Sequence, residues 1–142
     1  MNNKAKEWLE RGAELLKPLF LRYGFAYRTL NDGDSSGGQF AYGEFRKGAR
    51  RMEFHFRYSL GLVTYKLNSH SMSHQEYMRS MLGKPNASQY PGFSTDPMDA
   101  FRHLLFDLEE HCADFFEGTD ECLLRRIEDA LAEPIQKSGL PD

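Results

Sequence analysis

The residues that could do the most chemistry lie in one predicted strand, where charged and apolar side chains alternate. Its polar side carries four residues at every second position: Arg51, Glu53, His55 and Arg57. Side chains two apart on a strand point to the same face, so the histidine would stand between two arginines. Guanidinium groups hold phosphate or carboxylate, and imidazole transfers protons near neutral pH. The pattern is compatible with an anion-binding or proton-transfer surface, but a charged solvent face that discourages edge pairing explains it without a ligand and is favoured.

Other residues could join this surface. Depending on the register, the next strand adds Tyr65 or Lys66 to the polar side. Tyr90 and Phe93 lie in the later segment SQYPGFS. Aromatic side chains dominate interface hot spots, so these two are candidates for a protein contact, and they equally suit the rim of the core. Together the residues predict a protein-binding face.

Two histidines, His70 and His74, have the four-residue spacing of metal ligands on one helical face. Ser73 and Glu76, however, form a capping box that begins a helix at His74. His70 therefore lies outside that helix. Hydrogen-bonding roles are favoured for both side chains, with convergence on a common site left open.

A second spaced set, His103, Asp107 and His111, recurs every four residues on a later predicted helix. Neighbouring pairs could each hold a metal, but a straight helix cannot bring all three to one ion. An exposed acidic helix face explains the same residues without a metal. We therefore expect no metal and no cofactor.

The glycine-rich segment NDGDSSGGQF, residues 31–40, contains a Gly-x-Ser-x-Gly pattern and the first half of a calcium loop. A nucleophile elbow requires a helix after the serine, whereas here a strand is predicted. The calcium loop would need a glutamate at its twelfth position, which is Gly43. Asn, Asp, Ser and Gly favour turns, so the segment is predicted to be a mobile loop between strands.

An α+β fold is predicted to position these residues. Apolar residues at helical spacing predict an N-terminal helix over residues 3–23, with a kink or restart at Pro18. Period-two alternation then predicts a four-stranded antiparallel meander. Its strands are expected at residues 25–30, 39–46, 51–58 and 62–67. In the third strand the residues expected to face the core are Met52, Phe54, Phe56 and Tyr58.

Three helices are predicted after the sheet and are expected to pack on its apolar face. The first covers about residues 74–82. The second begins at Asp96, which caps it before Pro97, and ends at Gly118. The third is capped by Thr119 and ends near residue 135, with 136–142 as a frayed tail. Nothing divides the chain, so one domain, residues 1–142, is predicted.

Composition limits the function. The chain has 142 residues, of which 40% are hydrophobic and 13% aromatic, so it is expected to fold. It lacks a signal-peptide pattern and a run of eighteen apolar residues, which predicts a cytoplasmic protein with no membrane contact. Cys112 and Cys122 are interpreted as reduced thiols. The charge is uneven, with five basic residues against one acidic in 46–57 and seven acidic against none basic in 103–124. This basic patch is too small to favour nucleic acid.

The order of helix, four-stranded meander and helices, with MEFHFRYSLGLVTY as the central stretch, resembles that of small uncharacterised bacterial α+β proteins. Some proteins of this size and texture are immunity proteins that neutralise a partner toxin. The resemblance thus implies a protein partner. It is one of layout, so no functional residues carry over.

Two hypotheses of function follow. The first is a cytoplasmic, non-enzymatic module that binds a protein, with a homodimer also compatible with the sequence. The alternative is a small enzyme or anion-binding protein that uses the His/Arg polar face of the sheet. A concave pocket that joins His55 and Arg57 to His70 or His74 would favour the alternative.

Overall fold

A computed structural model describes residues 3–83 and 96–138, which form five helices and five strands in an α+β arrangement. In chain order these elements are α1 Lys4–Arg22, β1 Ala26–Ser35, β2 Gly38–Lys47, β3 Arg50–Phe56, β4 Leu60–Leu67, β5 His70–Ser73, α2 His74–Leu82, α3 Pro97–His111, α4 Ala113–Glu117 and α5 Asp120–Ser138. The α+β class and the N-terminal helix are as predicted. The numbers of strands and later helices differ from the prediction.

The strands form one antiparallel sheet in the order β1-β2-β3-β4-β5. Each strand pairs with the next along the chain, as short connections require. The predicted meander is confirmed, but it has a fifth strand, in which His70 pairs with Leu67. A turn through Asn68, whose φ is 54°, reverses the chain before this strand. β5 has only four residues, too few for a recognisable alternation.

Residues 31–38 form the tip of a long β-hairpin, so the prediction of a mobile loop is wrong. β1 continues to Ser35 and β2 begins at Gly38, which leaves a two-residue turn. A register shift between Thr29 and Asn31 keeps the two strands paired along this length. Glycine and aspartate have low strand propensity, and here cross-strand pairing outweighs that local preference.

The helices pack on one face of the sheet. Phe20 of α1 stacks on Phe45 of β2 with ring centroids 4.0 Å apart. Phe101 of α3 lies against α1 at Gly12, where a side-chain carbon would collide with the ring. At the other end of the sheet, Tyr65 of β4 meets the edge of Phe115 of α4 at 5.0 Å. These contacts make a single core between sheet and helices.

The alternation in β3 is confirmed over its length. Met52, Phe54 and Phe56 are at most 2% exposed and face the helices. Tyr58 was expected on the same face, but β3 ends at Phe56 and Tyr58 is 74% exposed. The alternation of side chains between two faces holds only for residues within the strand, so it does not predict where Tyr58 points.

Two predicted helix starts are confirmed in detail. In the capping box of α2, the Glu76 amide donates to Ser73 Oγ at 3.1 Å and the Ser73 amide donates to Glu76 Oε1 at 2.8 Å. At α3, Asp96 Oδ1 accepts from the Met98 amide at 3.0 Å. α1 is continuous through Pro18, so no restart occurs there.

The helix predicted from Pro97 to Gly118 is divided into α3 and α4 at Cys112, which has a non-helical backbone (φ −109°, ψ 30°). Arg50 of β3 binds the C-terminal end of α4. Its guanidinium donates to the Phe115 carbonyl at 2.8 Å and to the Gly118 carbonyl, and it pairs with Asp120 at 3.0 Å. α5 continues to Ser138, beyond the end predicted near residue 135.

The two cysteines are free, as predicted; Cys112 is buried and Cys122 is exposed. Burial raises the pKa of the Cys112 thiol far above its ordinary value. None of the helices in residues 3–83 and 96–138 has both the length and the apolar character needed to cross a bilayer.

Candidate functional site

The sheet has a second face, opposite the helices, which we call the open face. Glu44 and Glu53 lie there, directly opposite one another in β2 and β3. Cross-strand partners share a face, and their strand neighbours Phe45 and Met52 point into the core. The open face is therefore built from the alternate residues of all the strands, and the helices in the described part of the chain lie on the other side.

Aromatic rings cover one end of the open face. Phe40 stacks with Tyr42 at 6.1 Å, and Tyr42 stacks with His55 of the next strand at 4.6 Å. We call these three residues the ring row. All three side chains are partly exposed, and aromatic rings contribute large apolar contact areas both in cores and at interfaces.

Neighbouring residues hold the ring row in place. Asn31 Nδ2 donates to the Tyr42 hydroxyl at 3.2 Å. Phe40 lies across from Gly33, and a Cβ there would come within 2.9 Å of the ring. The Arg57 guanidinium lies 5.5 Å from the centroid of Phe40, a cation–π contact. The ring row is thus rigid before any partner binds.

The tip of the β1–β2 hairpin lies beside one end of the ring row and contacts the residues that follow β3. Arg57 Nη1 donates to Ser35 Oγ at 3.2 Å and to the Gly38 carbonyl at 3.1 Å. The Tyr58 hydroxyl donates to the Gly37 carbonyl at 2.7 Å. Gly38 has φ 105°, a conformation that favours glycine, and a Cβ on it would meet the Tyr58 hydroxyl. The glycine-rich segment therefore anchors the side chains of the β3–β4 turn.

A concave region of about 430 Å³ lies between the ring row and this turn. Its walls include Tyr42, His55, Arg57 and Tyr58. The volume falls within the range of ligand pockets in proteins. His55 and Arg57 both line this region, which also contains aromatic surface.

The pKa of His55 differs from that of a free imidazole side chain. Burial of the ring lowers the pKa of His55 below its ordinary value of 6.5, against a smaller opposing effect of the nearby Glu53 carboxylate. The neutral imidazole is therefore favoured. A neutral ring stacks on an aromatic partner without the desolvation cost that a cation carries.

The opposite end of the open face is charged. Lys66, not Tyr65, joins Arg51 and Glu53 there, and its Nζ lies 3.0 Å from Glu53 Oε1. The register decides this outcome, since Arg51 pairs with Lys66. Arg51 lies 3.9 Å from the same carboxylate.

Tyr65 and His74 belong to the core, which corrects their assignment to the binding surface. The Tyr65 hydroxyl lies 2.7 Å from His74 Nδ1, and His74 Nε2 lies 2.8 Å from Asp107 Oδ2. An ionised carboxylate can only accept, so Nε2 donates to Asp107 and Nδ1 accepts from Tyr65. All three side chains are at most 1% exposed. Burial raises the pKa of Tyr65 well above its ordinary value.

The interpretation of Asp107 as part of an exposed acidic face is therefore wrong, because it is fully buried. Its position three residues after Leu104 places it on the apolar side of α3, which was the available signal. His103 and His111 are partly buried on the same helix. Within the described ranges, no three histidine, cysteine, aspartate or glutamate side chains come together as metal ligands would.

The remaining predicted residues do not meet at the ring row. His70 is exposed, but its partner Leu67 faces the core, so it lies on the helix side of the sheet. Neither His70 nor His74 lines the concave region. Tyr90 and Phe93 lie outside the described residues.

Sequence reasoning missed Phe40 and Tyr42 as functional candidates. Their spacing of two around the buried Ala41 was the signal, since it places both rings on the face away from the core. Comparison with protein-family models, curated proteins and solved structures finds no match to this chain.

Proposed function

We propose that the protein is a non-enzymatic module that binds another protein through its open face. The supporting observation is the ring row, a continuous set of stacked rings that the helices of the described chain leave uncovered. Exposed Tyr58 and Leu62 flank it, with 74% and 57% of their surfaces in solvent. Monomeric proteins seldom expose clustered apolar side chains without a binding role.

The rigidity of the ring row supports this role. Association costs free energy when side chains must be ordered, and rings already fixed by neighbours avoid much of that cost. Tyr42 has two such neighbours, the Asn31 amide and the His55 ring. Tyrosine is also among the residues that most often carry binding energy at interfaces.

The surroundings of His55 argue against catalysis. A general base is normally oriented by a hydrogen-bonding partner and lies near the group that it activates. In residues 3–83 and 96–138, the imidazole of His55 has ring contacts and no hydrogen bond to a hydroxyl or carboxylate. The resemblance to immunity-like proteins supports the same proposal, with a toxin as the partner.

Affinity capture tests this proposal. The wild-type protein, Tyr42→Ala and Phe106→Ala are immobilised and exposed to an extract of the native cells, and retained proteins are quantified by mass spectrometry. Phe106 is a matched control, since it is an aromatic residue 45% exposed on α3. We expect one stoichiometric protein with the wild type and Phe106→Ala, and its loss with Tyr42→Ala. Equal recovery by all three proteins would contradict the proposal.

The concave region favours a second candidate, the binding of a small aromatic anion between Tyr42 and Arg57. Native mass spectrometry of the purified protein tests it. A retained small molecule that is lost in His55→Ala, together with no captured protein, would replace the first proposal with this one.

A further inference from the structure

Three cations lie side by side on the open face, next to the ring row. Arg46 pairs with Arg51 across β2 and β3, and Arg51 pairs with Lys66 across β3 and β4. We call these residues the cation row. Adjacent strands are about 4.8 Å apart, so the row is roughly 10 Å long. Like charges directly opposite one another destabilise a sheet, so the arrangement works against folding stability.

The protein's own carboxylates only partly neutralise this charge. Glu53 lies between Arg51 and Lys66, at 3.9 and 3.0 Å. Glu44 lies 2.9 Å from Arg28 and 3.8 Å from Arg46. Each carboxylate is thus shared by two cations, which leaves an excess of positive charge on this part of the face.

Arg51 has an unsatisfied donor. Its Nε is buried and has no hydrogen-bond acceptor among residues 3–83 and 96–138, where the nearest Glu53 oxygen is 3.9 Å away. Buried donors are nearly always paired, so an unpaired one calls for an explanation. The head groups of Arg46 and Lys66 remain accessible, with side-chain exposures of 45% and 30%. The Arg51 side chain is 27% exposed apart from its buried Nε, so an anionic group above the row would meet an accessible part of all three residues.

We infer that the partner protein has an acidic contact surface whose carboxylates bind the cation row while its apolar side chains cover the ring row. This inference depends on the proposed function, because it concerns the same face. Complementary charge sets the orientation of partners and excludes wrong ones. It also explains why unfavourable cation pairs are retained in the sheet.

A second copy of the chain fits this surface poorly. A symmetric sheet-to-sheet dimer would bring together two patches with the same excess of positive charge, since such an interface uses the same patch twice. A head-to-tail contact with the acidic helices would use two different patches, so it would form a closed ring or an open filament and not a simple pair. The partner is therefore a different, acidic protein.

Synthetic probes test the inference directly. The full chain is titrated into fluorescein-labelled peptides (Glu-Tyr)6, (Ser-Tyr)6 and (Lys-Tyr)6 and into a twelve-residue oligothymidylate, at low and high NaCl, with anisotropy as the readout. We expect (Glu-Tyr)6 to bind at least tenfold tighter than (Ser-Tyr)6 and to weaken as salt increases. Equal binding of the acidic and neutral peptides would overturn the inference. Tighter binding of the oligonucleotide would overturn it in favour of a nucleic acid.

A variant that lacks two of the cations provides a second test of the inference. Arg46→Gln with Lys66→Gln removes two of the three cations and leaves Arg51, whose Nε is buried, in place; we expect at least a tenfold loss of (Glu-Tyr)6 binding. Arg125→Gln, an exposed arginine on α5, is the matched control and should bind as the wild type does. Circular dichroism checks that both variants fold.

The same variants separate this inference from the proposed function. In capture from the native extract, loss of the partner with Tyr42→Ala and its full retention by the double variant would leave the function standing and overturn the acidic partner. Retention of the partner by both Tyr42→Ala and the double variant would overturn the proposed function and the acidic partner together. Loss with both variants supports the acidic partner.

Discussion

Two histidines, each beside a tyrosine ring, occupy opposite environments in this protein. His74 is enclosed between sheet and helices, and both its ring nitrogens have hydrogen-bond partners, Tyr65 and Asp107. His55 lies half-buried on the open face, where its main contact is the flat ring of Tyr42. We propose that these two environments correspond to a structural role for His74 and a binding role for His55. A satisfied, enclosed histidine stabilises the fold, whereas one held by stacking beside exposed aromatic surface is available to a partner.

The largest expected contrast is in the accessibility of the two regions. Cys112 lies in the core beside Tyr65 and Tyr77, and Cys122 is exposed on α5. Reaction of Cys112 requires local opening, which in a core element costs a large part of the global stability. We expect the native protein to react with a thiol reagent at Cys122 at least about a thousandfold faster than at Cys112. Mass spectrometry of each modified peptide measures the ratio. Similar rates would mean that the region around His74 opens readily.

The next contrast concerns the buried hydrogen bonds. Asp107→Ala removes the acceptor of His74 and leaves the buried Nε2–H of a neutral ring without this hydrogen bond, which should lower the free energy of unfolding by roughly 1–3 kcal/mol. Urea denaturation followed by circular dichroism measures this change. Glu109→Ala, at an exposed position on the same helix, is the control and should change the value by less than about 0.5 kcal/mol. A loss at Asp107 no larger than that of the control would remove the proposed difference between the two histidines.

His55→Ala should change the stability of the protein little and the binding of the partner strongly. It removes one stacked ring, so the free energy of unfolding should decrease by about 1 kcal/mol or less. Binding of the partner obtained by capture should weaken about tenfold or more, since the ring row loses a member. Denaturation and calorimetric titration measure the two effects. A large loss of stability with unchanged binding would make His55 a structural residue like His74.

The smallest expected effect is in the titration of His55. Burial lowers its folded pKa below 6.5, so the unfolded chain binds the proton more readily than the folded one. Its contribution to stability is therefore complete above pH 6.5 and is lost as the pH falls through the folded value. Two-dimensional NMR of the imidazole should give a midpoint below 6.5. Tyr42→Ala should move it upward, because the covering ring is removed; a midpoint above 6.5 in the wild type would be inconsistent with this environment.

Much of the fold could be predicted because it depends on local signals. The alternation of Met52, Phe54 and Phe56, the capping box at Ser73 and the Asp96-Pro97 start each act within a few residues. The fifth strand could not be predicted, since its four residues have weak strand propensity and are ordered by pairing with β4. The long hairpin was missed because Asn, Asp, Ser and Gly locally favour turns, and the Arg57 contact to its tip comes from 22 residues along the chain.

The candidate site was predicted in part. His55 and Arg57 do line one concave region, but the side chains that give it aromatic character, Phe40 and Tyr42, come from a neighbouring strand. The choice between Tyr65 and Lys66 depended on a register shift opposite His55, which composition does not encode. Asp107 was misplaced because its partner, His74, lies 33 residues away.

The central claim, that the ring row is the binding surface for a protein, is tested most directly by one comparison of affinities. The partner identified by capture is titrated calorimetrically into the wild type, Tyr42→Ala and Phe106→Ala. We predict that Tyr42→Ala weakens binding by about thirtyfold or more, as at interface hot spots, while Phe106→Ala binds as the wild type does. Equal affinities of the wild type and Tyr42→Ala would contradict the claim.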